Sequence, residues 1–513
     1  MKKARSLIAI SCACASAACG TEIARAVDIA PTGSPPPSTT VDAGPPSAPE
    51  KPPVCTTAKL TDRLLYGKVM LPEEVRYKRS AYFYGFPQDD RIAFSASSNG
   101  AQVAWLTSAG TQVHVTPIAP AEFTPAGNNV RAGDDITVDG SEVGGLVAFD
   151  DGFALLTRRP DLGEPIPEST GQATFLVRWK DKNQEFAVPL TGTRFATTAD
   201  TVDKHDFPLP LSSISWSGRL LFENSQYGAY FGVRGGSGDR YSNQNSDKFV
   251  VMDAAGRFVS GFRAACRQNL GGRLLADTTG GFAPFCMSDG SYGTAGVYAV
   301  AMGPLRTIKL APEVTFASGS YLGGNFGSAV KLPNGYVVAW ASRGVSLNSS
   351  GQIDGPADNL HAPAIALLKK DLTLEAGNNP KWPFPRKVDS DGNRLEDAVN
   401  VHAQVYGDKV LLVWETITSP AYRPSTGVSV GNYGGTHFRL IDASGNIASD
   451  EEFLPTSIAP NGPDDIVQFP NGDVGWAYVP EDRYFQSFTA PNGVSALTEI
   501  RFVRLTYCTP PPP

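Results

Sequence analysis

A short pattern recurs along this chain and leaves few folds open. Its clearest copies are Lys331-Leu-Pro-Asn-Gly-Tyr-Val-Val-Ala-Trp340 and Gln468-Phe-Pro-Asn-Gly-Asp-Val-Gly-Trp476. Ser98-Asn-Gly-Ala-Gln-Val-Ala-Trp105 and Gly407-Asp-Lys-Val-Leu-Leu-Val-Trp414 follow the same plan. Weaker copies begin at Asp150, Tyr227 and Gly280, which makes seven copies. In each, a short apolar strand runs into Asn-Gly, Asp-Gly or Gly-Gly. These residues tolerate the positive φ of a hairpin turn. A second strand then carries a large apolar residue, often Trp. A third follows after a variable loop, as in Val113-His-Val115, Phe249-Val-Val251 and Phe438-Arg-Leu-Ile441. Met252-Asp-Ala-Ala-Gly-Arg-Phe-Val259 shows a second turn and a fourth strand.

Four short antiparallel strands per unit, at a period of about 60 residues, predict an all-β fold. The specific expectation is a seven-bladed β-propeller of four-stranded antiparallel blades. A single four-stranded sheet leaves both faces wet, whereas radial packing buries them and leaves only short edges. The rival reading is two or three β-sandwich domains in a row. No internal linker separates such domains, and this favours the ring. The 52 Gly and 41 Pro suit a turn-rich fold with few long helices. The repeat resembles the bacterial propeller-type repeat GGFVVxW…GVYAxxFDxxG over residues 90–508. That resemblance implies a scaffold with no single shared chemistry.

The N-terminus reads as an address. Lys2, Lys3 and Arg5 precede an apolar stretch, Leu7 to Ala18, too short to span a bilayer. It ends in Ser16-Ala-Ala-Cys19-Gly20, which resembles the lipobox of bacterial lipoproteins, with Ser16 where that family usually has Leu. The resemblance implies a lipoprotein signal peptide over 1–18 and lipidation at Cys19. Plain secretion is the alternative. Residues 19–54 form a Pro-rich tether with too few large apolar residues to offset its ordering entropy. The folded domain is expected over 55–508, and a Pro tail over 509–513. The expected location is the cell envelope outside the cytoplasm, at the outer membrane, with the membrane met through the lipid alone.

Four cysteines lie in the folded part: Cys55, Cys266, Cys286 and Cys508. An even number in an exported chain reads as disulfides. Their positions suggest Cys55 with Cys508, closing the ring, and Cys266 with Cys286. Residues near Cys55 to Leu60 would then supply the missing outer strand of the seventh unit. No CxxC or HExxH zinc pattern is present.

The net charge of −7 argues against nucleic acid as a partner. The long insertions, 191–210, 234–248, 343–362, 416–436 and 480–497, all fall where one face of a propeller would carry its loops. That face is the expected binding surface. Acidic pairs precede several strands: Asp89-Asp90, Asp134-Asp135, Asp464-Asp465 and Glu396-Asp397. They would place Asp90, Asp135 and Asp465 near the channel mouth. Asp389, Asp391, Asn393 and Glu396 resemble a calcium loop, with Gly392 two positions early for an EF-hand. Ca²⁺ is the one cofactor this suggests, against an ordinary Asx turn. Asp239-Arg-Tyr241 and Asp482-Arg-Tyr484 recur in the loops and offer Tyr241 and Tyr484 for recognition. His361 and His437 are the histidines nearest those loops. No G-x-S-x-G elbow or phosphate-binding loop occurs, and no catalytic residue is assigned. The expectation is a surface protein that binds a ligand, glycan or protein partner. The alternative is an exported hydrolase or lyase with its site at the channel mouth.

Overall fold

The turns dictate the architecture. Asp181-Lys182 and Asn224-Ser225 each hold two consecutive positive-φ residues, the conformation that matches strand twist in a two-residue hairpin. Gly335 opens a second strand at φ +156, and a Cβ there would sit 1.8 Å from the Leu368 carbonyl oxygen. In the computed structural model the described residues are 59–76, 91–131, 134–160, 171–192, 206–208, 217–235, 245–267, 269–288, 296–302, 305–312, 325–342, 346–347, 353–354, 360–375, 380–381, 384, 389–391, 395–423, 428–454, 458, 460, 466–479 and 497–507. They belong to a unit spanning Val54–Pro513.

That unit is almost wholly strand. β1 (Leu64–Val75) belongs to the sheet that closes the chain. Sheet 1 is β2 (Ala93–Ser97), β3 (Gly100–Leu106), β4 (Gln112–Ile118) and β6 (Ile136–Asp139), while β5 (Asn128–Arg131) leaves to pair with β1. Sheet 2 is β7 (Val143–Phe149), β8 (Gly152–Pro160), β9 (Gln172–Lys180) and β10 (Asn183–Pro189). Sheet 3 holds β11 (Asp206–Pro208), β12 (Arg219–Glu223), β13 (Gln226–Gly235), β14 (Asn245–Asp253) and β15 (Phe258–Arg267). Sheet 4 is β16 (Asn269–Ala276), β17 (Phe282–Ser288), β18 (Gly296–Met302) and β19 (Leu305–Pro312). Sheet 5 is β20 (Asn325–Leu332), β21 (Gly335–Ser342) and β24 (Ala362–Lys369), with a small hairpin of β22 (Ser346–Leu347) and β23 (Ile353–Asp354) between. Sheet 6 is β25 (Glu396–Tyr406), β26 (Lys409–Arg423), β27 (Val428–Ile441) and β28 (Glu452–Leu454). Sheet 7 is β29 (Val467–Gln468), β30 (Val474–Tyr478) and β31 (Leu497–Leu505), completed by β1 and β5.

The sheets form a β-propeller. Six of them carry four or five strands and are complete blades. The expected count of seven four-stranded blades is corrected to six, because sheet 5 has three strands among the described residues. Past β24 its described residues add two isolated bridges, Leu368 to Leu374 and Ile365 to Lys381, rather than a fourth strand. An apolar cluster fills every junction between consecutive sheets, including the one from sheet 7 back to sheet 1. The repeat tryptophans explain this packing. Trp105, Trp340, Trp414 and Trp476 lie on second strands and each faces the preceding sheet. All four are buried.

Two expectations shift. The closing strand is β1, residues 64–75 rather than 55–60, paired antiparallel with β31 from Leu64↔Leu505 to Met70↔Glu499. The segment before it is a short 3-10 turn, Leu60–Arg63, tied to sheet 6. Glu452 accepts the Leu60 and Thr61 N–H groups at 2.7 and 2.9 Å and the Thr61 hydroxyl at 2.7 Å. The insertion expected over 416–436 is largely strand, since β26 and β27 extend as one long hairpin. Their edge hydrogen bonds continue past a register shift between Thr418 and Ala421.

Candidate functional site

Each sheet is a meander that begins with its inner strand. The first residues of those strands therefore gather at one end of the ring, and the tight turns after them at the other. The strand-start end is where buried charge meets. Arg91, two residues before β2, and Arg219, the first of β12, are each 3% exposed. Both donate through Nη1 to the Gly218 carbonyl at 2.7 Å. Arg91 reaches from sheet 1 to sheet 3, past the whole of sheet 2. Arg273 repeats the device in sheet 4, donating to the Gly272 carbonyl at 2.9 Å. In sheet 2, Arg158 meets Glu142, the residue before β7, at 2.7 Å.

Sequence reasoning passed over these arginines. The signal was present as Gly218-Arg-Leu-Leu221 and Gly272-Arg-Leu-Leu275, a charged residue repeated at the entry of two apolar strands.

On the far side of the ring, His361 precedes β24 and Asp397 is the second residue of β25. They are 3% and 1% exposed. His361 Nδ1 lies 3.0 Å from Asp397 Oδ1, and the His361 backbone N–H donates to the same oxygen. Ala398 N–H returns a bond to the His361 carbonyl at 3.2 Å. A carboxylate on Nδ1 favours the proton there and leaves the lone pair on Nε2. Asp397 thus lies at the start of an inner strand, as expected for its acidic pair.

Four inner strands carry a register shift near their beginnings: between Val143 and Leu146, Asn269 and Gly272, Phe326 and Ser328, and Val399 and His402. Bulges re-aim side chains and are over-represented beside active sites and at rims. Asn400 inside the last of them takes φ +50 and donates to buried Glu415 at 3.1 Å.

The other candidates have different settings. His437 is 4% exposed, with Nδ1 2.7 Å from Glu451 and Nε2 3.0 Å from Thr416. Its ring stacks between Trp414 and Phe453. It is held inside sheet 6 rather than offered by a loop. Sheet 1 repeats the arrangement. His114 stacks on Trp105 at 4.5 Å and lies 3.4 Å from Asp135. Thr116 donates to Asp135 at 2.8 Å. Asp135 therefore orders an outer strand. It was expected ahead of an inner strand, but the inner strand of sheet 2 starts only at Val143, beyond the turn at Gly140.

The Asp391 N–H donates to the Asp389 carboxylate at 2.9 Å, an Asx turn. Glu396 opens β25. Among the described residues no group of three or more His, Cys, Asp or Glu could hold a metal. Cys286 is fully buried and disulfide-bonded. Cys19, Cys55, Cys508, Asp90, Asp465, Tyr241, Tyr484 and Asn393 lie outside the described residues, as does the side chain of Cys266.

No family model matches the chain, and no curated protein matches it. Solved structures align with the chain at low similarity. The GH43 BlXynB protein from Bacillus licheniformis aligns at 8% identity and TM-score 0.27, over 62% of this chain and 57% of its own. This chain thus spans little more than half of that protein's length. An exo-1,5-alpha-L-arabinanase from a bovine ruminal metagenomic library aligns at 10% identity and TM-score 0.26, over 60% of this chain and 97% of its own. A Synechocystis ACO mutant reaches TM-score 0.36 at 9% identity, over 71% of each chain.

Proposed function

We propose that this chain is an exported lipoprotein whose propeller binds a glycan or protein ligand at the end where its inner strands begin. One observation carries the reading. Buried charged side chains from sheets 1, 2, 3, 4 and 6 gather at that end, and Arg91 links two sheets that are not neighbours. Burying charge is costly, and a fold that only needed rigidity would fill those positions with apolar residues. In this reading Cys19 carries the lipid, residues 20–54 hold the ring away from the outer membrane, and Cys55–Cys508 and Cys266–Cys286 are disulfides. Asp90, Asp465, Tyr241 and Tyr484 would line the same face.

A second reading, an exported hydrolase or lyase, draws on His361 and Asp397. A histidine oriented by a buried carboxylate is equipped to take a proton. The two readings share one experiment. The unfolding temperature of the full chain is measured with Ca²⁺, neutral and acidic glycans and envelope fragments, and each mixture is then checked for cleavage. A rise with one ligand class and no cleavage supports binding, because a ligand of the native state alone must stabilise it. Cleavage that is lost in His361→Asn supports the enzyme. Incorporation of labelled fatty acid that persists in Cys19→Ser would remove the anchor from the proposal.

A further inference from the structure

We infer that the outer strand of sheet 6 carries a second binding site, where a neutral sugar ring stacks on Phe453. This site lies on the ring's outer flank. It does not rest on the reading given above for the strand-start end.

Four aromatic rings make a continuous stack through sheet 6. Phe384 lies on Trp414 at 4.5 Å, Trp414 on His437 at 5.3 Å, and His437 on Phe453 at 5.7 Å. The angles between successive planes are 26°, 17° and 26°. The first three rings are buried, whereas Phe453 is 57% exposed. Among the described residues no other aromatic side chain is exposed. Glu451 and Thr416 pin His437 at its two nitrogens, so Phe453 has a fixed, flat backing. One face of its ring is taken, and the other is left to solvent.

The opening has a structural cause. Phe453 shares the face of Trp414, which is turned to sheet 5, and sheet 5 has three strands among the described residues. Phe186, on the outer strand of sheet 2, instead meets a five-stranded neighbour and packs on its Tyr227 at 6.1 Å.

The surroundings of Phe453 are polar. His437 pairs with Phe453 across the strands, and Arg439 and Glu451 each stand two residues from one of that pair, on the same face. Their side chains are 15% and 24% exposed, with Arg439 Nη1 3.9 Å from Glu451 Oε2. Arg439 Nε donates to the Ser449 carbonyl at 3.1 Å, and its terminal N–H groups make no hydrogen bond among the described residues. A sugar suits this set. The C–H groups on one face of a pyranose meet the negative face of an aromatic ring. Its hydroxyls both donate and accept, which matches a carboxylate beside a guanidinium. The two charges cancel, so they select a neutral ligand. A protein partner would call for a contiguous apolar patch on the order of several hundred Å² rather than one ring.

The test is titration calorimetry of the full chain with cellohexaose, xylohexaose and chitohexaose, each at low and high sodium chloride. At least one is expected to bind, with affinity changing by less than about twofold between the two salts. Phe453→Ala should weaken that binding about tenfold, and Phe453→Trp should keep it. The side chain is exposed, so both variants should unfold at the temperature of the unaltered chain, which thermal unfolding checks. Equal binding by Phe453→Ala overturns the inference and moves the sugar elsewhere on the ring. Binding of none of the three probes also overturns it. Self-association seen by sedimentation and abolished in Phe453→Ala would reassign this ring to a second copy of the chain.

Discussion

The two ends of this ring use the same acidic residues in opposite ways. At the turn end three carboxylates, Asp253, Asp371 and Asp442, are answered by their own loop. Asp253 accepts the Ala255 and Arg257 N–H groups, and Asp442 accepts those of Ser444 and Asn446, all at 2.9 Å. Asp371 does the same for Thr373. At the strand-start end Asp397 is buried, and its partner His361 lies 36 residues earlier. The turn end is local chemistry repeated sheet by sheet. The strand-start end depends on sheets arriving side by side. A charge that stabilises a turn is therefore no guide to a site, whereas a buried charge with a remote partner is.

Substitutions can break this contrast. The largest effect is expected at Asp397→Ala. Removing one partner of a buried pair strands the other, and a loss of about 3 kcal/mol is expected in denaturant unfolding. A loss under 1 kcal/mol would mean that this pair is no more structural than a turn. Gly327→Ala comes next. A Cβ there would meet the Val401 carbonyl oxygen of the neighbouring inner strand at 2.0 Å. Backbone cannot yield as a side chain can, so about 2 kcal/mol should be lost. The same change at Gly171, where a Cβ meets nothing within 4 Å, should cost less despite its positive φ.

At the turn end, Asp442→Ala should cost only about 1 kcal/mol, the worth of an exposed turn's hydrogen bonds. The smallest effect is the pH response of these turns. The Arg257 backbone N–H holds Asp253 below the ordinary carboxylate value, and the Thr373 hydroxyl does so for Asp371. For Asp442, partial burial pushes the other way, and the Asn446 and Ser444 hydrogen bonds outweigh it. A carboxyl with a depressed folded pKa stabilises above its unfolded value near 3.8. That stabilisation fades as pH falls through the lower folded value. Unfolding midpoints should therefore be level from neutral down to about pH 5 and fall below about pH 4. Asn at all three positions should shrink the acid decline without abolishing it.

Much of the fold was legible in the chain. Ser98-Asn-Gly and Pro333-Asn-Gly mark hairpins because only certain residues accept a turn's φ. Trp105, Trp340, Trp414 and Trp476 mark second strands, because each inter-sheet junction needs a large apolar plug. The site was less legible. Asp397 was noticed as half of an acidic pair and His361 as a loop histidine, but nothing in the spacing joined them. His437 and Asp135 were expected as binding residues, and each hydrogen-bonds within its own sheet. The arginines of the two Gly-Arg-Leu-Leu segments passed unseen, since a charge at a strand entry usually faces water.

The sequence by itself determined what is local: the order of strands, the hairpin turns and the apolar face that each sheet shows its neighbour. Such features rest on hydrogen bonds and alternation within a few residues, so they are written in the pattern. Only the tertiary structure decided which strand closes the ring, how Glu452 holds the turn at Leu60 and Thr61, and that Arg91 meets the carbonyl of Gly218. The hydrogen-bond partners among these are separated by 127 to 392 residues. Their meeting is set by the angle at which every intervening sheet packs on the next, which no short stretch of the chain encodes.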